Sequence, residues 1–280
     1  MTTRSRLSCS EFSFPALSLD DRLALVRLLG FQLVDMGLFL DTDEQVGAFL
    51  SDPGGMTRRM AAALERMGLD PVDLFLIVGG DDFARGALTS PDNALRERLR
   101  HIFLAALDCA SALGVQGCTV LPGLHWDDGD HGSWSLAVHE LQWRVEQAAR
   151  SGLELRIEPH LGSIVATPEL ALALLRDVPG LRLSLDAGHF VFQDIPMERI
   201  ARLAPFTGHV HLSGARPGGV CVPWKHNVVD FPSFITSLES AGFSGEYCVE
   251  YVPMDKWGAD GTDIVTATVT MRDIISAVVV

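Results

Sequence analysis

The chain has 280 residues, 48% of them hydrophobic, and carries 36 acidic against 22 basic side chains for a formal charge of −14. That much apolar material, with a mean hydropathy of +0.22, is enough for a sizeable core and excludes a disordered chain. A pI near 4.9 and the lack of any clustered Lys/Arg repel phosphate backbones and anionic lipid, so neither a nucleic acid nor a membrane is expected as a partner.

In chain order the pattern predicts strand 6–14, helix 19–29, strand 31–40, helix 56–67, strand 73–79, helix 93–113, strand 117–122, helix 133–150, strand 153–158, helix 168–175, strand 181–186, helix 197–203, strand 208–212, helix 232–240 and strand 246–252. Several of the helices are introduced by Ser, Thr or Asp caps. Eight β-rich runs alternating with helices, at roughly 35 residues per unit, predict one (β/α)8 TIM barrel spanning 1–280 as a single domain. A doubly wound sheet is the other candidate, but it wants a glycine fingerprint after the first strand, and SCSEFSFPALS has none. The pair Gly79 and Gly80 before Asp81 and Asp82 reads as a turn rather than a phosphate cradle.

Five cysteines (Cys9, Cys109, Cys118, Cys221, Cys248) are odd in number, scattered and without CxxC spacing. They suggest neither a disulfide framework nor a thiolate zinc site, and a reducing cytoplasm is the expected compartment. The first residues include Arg4 and Arg6 but lead into SCSEFSF, not an apolar run. Neither export nor membrane insertion is expected.

Strand phase carries the functional information, because side chains alternate between the two faces of a strand. In LELRIEPH, Leu153, Leu155 and Ile157 point to the helices, which sends Glu154, Arg156, Glu158 and His160 inward. LRLSLD sends Arg182, Ser184 and Asp186 inward, GHVHL sends His209 and His211, and EYCVEY sends Cys248 and Glu250. Four consecutive strands thus each bring an ionisable group to one end of the barrel. Converging carboxylates repel one another unless a proton or a cation intervenes. Glu158, Asp186, His211 and Glu250 offer three oxygen donors and one imidazole, a set suited to one divalent ion: Mn, Mg, Co or Fe, with Zn acceptable and Mn favoured. A cap or a solvated loop position is the plain reading of each acid taken singly. The rim of a barrel is where such groups act together.

The motifs IEPHLGS, SLDAGHF, HVHLSGARPGG and VVDFPSFITSLESAGFSGEYCVEYV, in this order, resemble the sugar phosphate isomerase/epimerase superfamily. These are the xylose isomerase-like barrels, which also include family-2 AP endonucleases. DNALRERLRHIFLAALDCASALGVQGCTVLPG is similar to the family's third helix and fourth strand, so the likeness covers nearly the whole chain. It implies metal ligands at Glu158, Asp186, His211 and Glu250, a substrate-contacting histidine at His189, and an anion- or hydroxyl-binding arginine at Arg216. It also implies Glu158 and Glu250 as an acid/base pair acting from opposite faces of the substrate. The chain departs from the family where Ser213 and Gly214 stand after His211 in place of Lys-Asp, and where WKHN precedes the VDF segment in place of a glycine-rich stretch. Both changes line the pocket, so substrate identity does not carry over.

The activity this implies is a divalent-metal-dependent isomerase or epimerase of a small polyhydroxy ketone or aldehyde. The expected course is deprotonation beside the carbonyl to an ene-diolate, followed by reprotonation. A lyase or dehydratase on a keto-sugar or keto-inositol is the alternative, since the same intermediate can expel a β-hydroxyl. AP endonuclease-like repair would need several zinc ions and a basic surface, which the charge disfavours. A non-catalytic partner protein would have no use for four inward-facing ligands. His160 and His209 share phase with the ligands and are read either as pocket-lining or as structural. Trp126, Trp224 and Trp257 follow strands four, seven and eight, where they serve as walls for a sugar or cyclitol ring or as packing. His125 and His226 are expected on surface loops, and His101, His131 and His139 on helices or loops without chemistry. The expected partner is the small-molecule substrate, with a homo-oligomer left open.

Overall fold

A computed structural model of the chain describes residues 6–80, 82–126, 131–253, 257–259 and 261–279. Arg4 and Asp81, named above, lie outside the described residues, as does the side chain of His131. The strands are β1 (Leu7–Ser10), β2 (Leu33–Leu40), β3 (Asp70–Val78), β4 (Gly117–Val120), β5 (Glu154–Ile157), β6 (Arg182–Asp186), β7 (Thr207–Leu212), β8 (Ala215–Arg216), β9 (Gly219–Val220) and β10 (Tyr247–Val249). The helices are α1 (Leu19–Leu28), α2 (Asp43–Ser51), α3 (Pro53–Met67), α4 (Asn93–Leu113), α5 (His131–Arg150), α6 (Pro168–Asp177), α7 (Gly188–Val191), α8 (Met197–Ile200), α9 (Phe231–Ser240) and α10 (Ile264–Ser276).

Eight strands close into a barrel in the order β1-β10-β7-β6-β5-β4-β3-β2, while β8 and β9 pair antiparallel as a small hairpin. β1 runs parallel to β2 and β10, β10 to β7, β3 to β4, β4 to β5, and β5 to β6. The (β/α)8 barrel expected from the alternation is the architecture observed.

Contacts gather into two compact units, Met1–Met36 with Ala63–Val72 and Ser184–Val280, and Gly37–Ala62 with Asp73–Leu183. In the first unit, α1 buries Leu23 and Val26, α9 buries Phe231, Phe234, Ile235 and Leu238, and α10 buries Ala267, Thr268, Met271 and Ile275. In the second, α4 buries Leu99, Ile102, Phe103, Ala106, Leu107, Cys109 and Ala110, a stripe recurring every three to four residues. Each large apolar side chain so buried contributes about 1.5–3 kcal/mol before chain entropy is charged against it.

Local chemistry fixes the element ends. Thr42 and Gln45 form a reciprocal capping box at α2, and Asp92 and Asp263 accept from Ala94 N and Thr266 N at α4 and α10. At α6, Thr167 caps and Pro168 opens the helix. Gly79 and Gly80 both take positive φ after β3, which makes the pair a turn.

The elements depart from the sequence pattern at several points: the helix expected over 197–203 is α8 followed by a 3-10 turn, the strand expected over 246–252 is β10, and α7 and the β8–β9 hairpin were not expected. The strand expected over 6–14 stops at Ser10 and gives way to a 3-10 turn at Glu11–Ser13, where the Ser10 and Ser13 hydroxyls lie 2.5 Å apart. Helix α2 was not expected, because Gly47 breaks a short pattern that the capping box nonetheless starts. Helix α10 was hidden by β-branched Ile264, Val265, Thr266, Thr268, Val269 and Thr270, which favour strand. Burial of one helical face at Ala267, Met271 and Ile275 overrides that preference. All five cysteines are free and buried. Among the described residues no helix is long and apolar enough to cross a membrane.

Candidate active site

The ionisable residues collect at strand ends. Asp186 closes β6, His209 and His211 lie in β7, Glu250 follows β10, and Glu158 follows β5. All are buried, with 6% of Glu158, 5% of Asp186 and 8% of Glu250 exposed. In a parallel barrel these C-terminal ends form the face on which active sites are built.

The run Asp186-Ala187-Gly188-His189 turns directly from β6 into α7. Gly188 N donates to Asp186 Oδ1 at 2.7 Å, and a Cβ on Gly188 would stand 2.9 Å from that same oxygen and 3.0 Å from Val220 Cγ2. A side chain at 188 would force the Asp186 carboxylate or Val220 to shift. The turn brings His189 Nε2 to 3.8 Å from Asp186 Oδ2, with the imidazole edge-on to Trp257 at 5.8 Å between ring centroids.

In β7 the two histidines are two residues apart and so share a face. Their rings stand edge to face at 5.3 Å. His211 Nδ1 lies 2.7 Å from Glu250 Oε2, and its Nε2 lies 3.3 Å from Ser184 Oγ on β6. His209 Nε2 meets Asp35 Oδ2 at 2.5 Å, while Ser8 Oγ donates to Asp35 Oδ1 at 2.6 Å. Burial pushes the Asp35 carboxyl up, but the charge and hydrogen bond of His209, the charge of His211 and the Ser8 hydroxyl outweigh it and hold the acid below the usual carboxylate range. Nearby, burial drives the Cys221 thiol up to about 12, with the Asp186 and Glu250 charges adding to it, so the sulfur stays protonated and is no nucleophile. Tyr251 Oη accepts from Gly214 N at 3.0 Å and ties down the loop that follows β7.

His160, two residues beyond Glu158, is 2% exposed and packs edge-on to Phe83. Burial lowers its pKa to about 4, so the ring is neutral near pH 7. Its Nδ1 lies 2.6 Å from the Leu161 carbonyl, which can only accept; the proton therefore sits on Nδ1, and Nε2 is an acceptor. Arg216 is half-buried on β8 and donates from Nη1 to Pro217 O at 3.1 Å. Trp224 is 37% exposed and stacks on Phe231. Trp126 Nε1 donates to Thr89 Oγ1 at 3.2 Å. His125 and His226 are exposed, as expected of surface loops, and His101 and His139 lie exposed on α4 and α5, helices as expected.

The structure therefore forms two imidazole–carboxylate pairs from the expected residues, His211 with Glu250 and His189 with Asp186. Asp35, His209 and Cys248 form a buried group of three within the first unit, each offering an atom that could hold a metal ion. The segment LVDMGLFL carries one acid among apolar residues. Strand phase sets Asp35 on the face of Leu33 and Gly37, and an acid inside a strand is the signal that points to it.

A family model described as a xylose isomerase-like TIM barrel matches residues 23–267. The chain belongs to this family. Among its xylose isomerase-like relatives, L-ribulose-5-phosphate 3-epimerase UlaE of Salmonella paratyphi C (strain RKS4594) is 26% identical over 239 residues, 82% of this chain and 81% of that protein. The crystal structure of a D-allulose 3-epimerase from Methylomonas sp. superposes with a TM-score of 0.75 over 98% of both chains at 19% identity. A xylose isomerase-like TIM barrel protein from Mycobacterium smegmatis, in complex with magnesium, superposes with a TM-score of 0.71 over 99% of this chain and all of that one, at 17% identity.

Proposed function

We propose that the chain is a divalent-metal-dependent epimerase of a small ketose or related polyhydroxy carbonyl compound. The observation that carries this reading is the buried pairing of His211 with Glu250, together with the burial of Asp186 at the end of β6, in a xylose isomerase-like barrel. The epimerases and the magnesium-bound barrel among its relatives support it.

The donor set fits a metal ion. Carboxylates this deeply buried are costly unless their charge is matched, and three carboxylate groups with one imidazole suit a hard or borderline divalent ion. Glu158, Asp186, His211 and Glu250 would hold it, with manganese the favoured ion. When bound, such an ion polarises a carbonyl and its neighbouring hydroxyl and so acidifies the C–H between them.

Glu250 and Glu158 divide the proton work. One carboxylate takes the proton from the carbon beside the carbonyl, leaving an ene-diolate, and the other returns a proton to the opposite face. His189, held between Asp186 and Trp257, meets the oxygen on which negative charge develops. His160, neutral and with an accepting Nε2, takes a hydrogen bond from a substrate hydroxyl. Arg216 and Trp224 contribute a hydroxyl contact and an apolar wall.

Incubation with Mn²⁺ and a panel of ketoses and ketose phosphates in D₂O tests the proposal. Solvent deuterium should appear at the carbon beside the carbonyl, together with the epimer and without loss of water. An absorbing enone would replace epimerisation by elimination, and no exchange with any member of the panel would reject the reading. Glu158→Gln, Asp186→Asn, His211→Ala and Glu250→Gln should each lower metal occupancy from about one ion per chain. Wild-type occupancy in all four would refute the ligand set.

A further inference from the structure

We propose that a cavity within the second unit, bounded by the ends of β3 and β4 and by α4 and α5, is a binding site for a small monocarboxylate whose charge is met by Arg144. The inference does not rest on the metal reading above. Leu76, Leu99, Phe103 and Val120 are among the apolar walls, Arg144 and His160 are the polar side chains that line the space, and no acidic side chain among the described residues lines it. A volume of about 40 Å³ holds about three water molecules, whose combined share of the liquid is about 90 Å³. That is room for acetate or propionate but not for a sugar.

Arg144 is 3% exposed, and its guanidinium lies over the rings of Phe103 and Trp143, with Cζ 5.4 and 5.6 Å from their centroids. Both of its hydrogen bonds among the described residues leave from Nη1, to the Glu140 carbonyl oxygen at 3.1 Å and to Glu140 Oε2 at 2.6 Å. Nε and Nη2, whose N–H bonds project side by side, remain for a ligand. Two parallel N–H groups match the two oxygens of one carboxylate.

The charge around this fork is unbalanced. Glu140 is shared among three guanidinium groups, because Arg100 takes its two oxygens from Nε at 3.1 Å and Nη2 at 2.8 Å, and Arg96 Nε stands 3.9 Å from Oε1. One carboxylate against three arginines leaves the cluster positive. The side chains of Arg96 and Arg100 keep 15% and 20% of their surface exposed and are screened by water, whereas that of Arg144 keeps 4%. Burial lowers the Arg144 pKa by more than Glu140 restores it, which agrees with a buried charge only partly matched. A carboxylate in the cavity completes the match. The apolar walls suit a short hydrocarbon tail, while a phosphate would bring a second charge with nothing to meet it.

Calorimetric titration of the purified chain with sodium acetate, propionate, hexanoate and inorganic phosphate, at an ionic strength held constant with sodium chloride, tests the site. Acetate and propionate should bind saturably, one per chain and in the millimolar range that befits so few atoms. Propionate should bind about four-fold tighter for its additional buried CH₂. Hexanoate, too long for the cavity, and phosphate should show no saturable binding. Arg144→Lys keeps the charge but removes the fork, and should weaken propionate about ten-fold or more. Ala87 also lines the cavity and is 3% exposed. Ala87→Leu fills the space without touching the arginine cluster, so it should abolish binding even if Arg144→Lys fails to fold. Absence of saturable acetate or propionate binding overturns the proposal, as does binding that survives Ala87→Leu or a preference for phosphate.

Discussion

His189 is held by Asp186 on one side and the edge of Trp257 on the other, with 6% of its surface exposed. It follows Asp186 by three residues across a glycine turn, and in the proposed function its ring meets a substrate oxygen while Asp186 helps hold the ion. His189→Ala should therefore keep its ion yet lose about 10²-fold or more in kcat, the scale of a missing proton-transfer or oxyanion partner. Asp186→Asn should instead lose the ion. Metal analysis and kcat measured on both variants separate the roles. Loss of metal from His189→Ala would make it a ligand, and unchanged turnover would make it structural. His189→Gln adds a further distinction, because glutamine donates hydrogen bonds but carries no proton at neutral pH. Substantial rescue by glutamine would point to positioning over proton transfer.

Between elements, the densest ionic contact joins α4 to α5. Glu140, 1% exposed, accepts from Arg100 Nη2 at 2.8 Å and from Arg144 Nη1 at 2.6 Å, while Arg144 lies over the rings of Phe103 and Trp143. Removing one member of a buried pair strands the other, so Glu140→Gln should cost about 3 kcal/mol at neutral pH. Burial alone would raise the Glu140 pKa, but hydrogen bonds from Arg100 and Arg144 and their charges lower it on balance. With the folded value below the unfolded one, the stabilisation is present above the unfolded pKa and disappears as pH falls through the folded value. Urea unfolding at a series of pH values should therefore show the gap between wild type and variant closing as the pH falls below the ordinary glutamate range. A constant gap would mean that the loss comes from packing and not from charge.

These elements also mark how far the sequence could be read. Strands β5, β6, β7 and β10 were legible because each alternates apolar residues with polar or ionisable ones, and that alternation located Glu158, Asp186, His211 and Glu250. Asp35 escaped because β2 is buried almost throughout, so Leu33, Val34, Met36 and Leu38 mask the period. Helix α10 escaped because its β-branched residues favour strand and only tertiary burial decides for helix. The Glu140 cluster was beyond reach, since it depends on which turns of two helices come to face each other.

At the scale of the whole molecule, the charge of −14 sets what can approach the barrel mouth. A phosphorylated ketose carries roughly two negative charges near pH 7 and meets a net repulsive field, whereas a neutral ketose does not. Salt screens that field over about 10 Å at 0.1 M. If the surrounding charge governs approach, KM for a ketose phosphate should fall several-fold between about 0.02 and 0.2 M monovalent salt, while KM for the neutral ketose stays level. Local groups could reverse the trend: Arg216 on β8 and exposed Lys225 beyond it are the Lys/Arg side chains between β7 and α9. A KM that rises with salt for the phosphate alone would then identify a built anion subsite, and Arg216→Gln should abolish the rise. The same field predicts no salt-sensitive binding to duplex DNA and no cleavage at abasic sites, although the barrel is shared with AP endonucleases. Fluorescence anisotropy with an abasic duplex at low salt checks this directly. Binding that weakens steeply with added salt would show a basic surface that the charge count conceals.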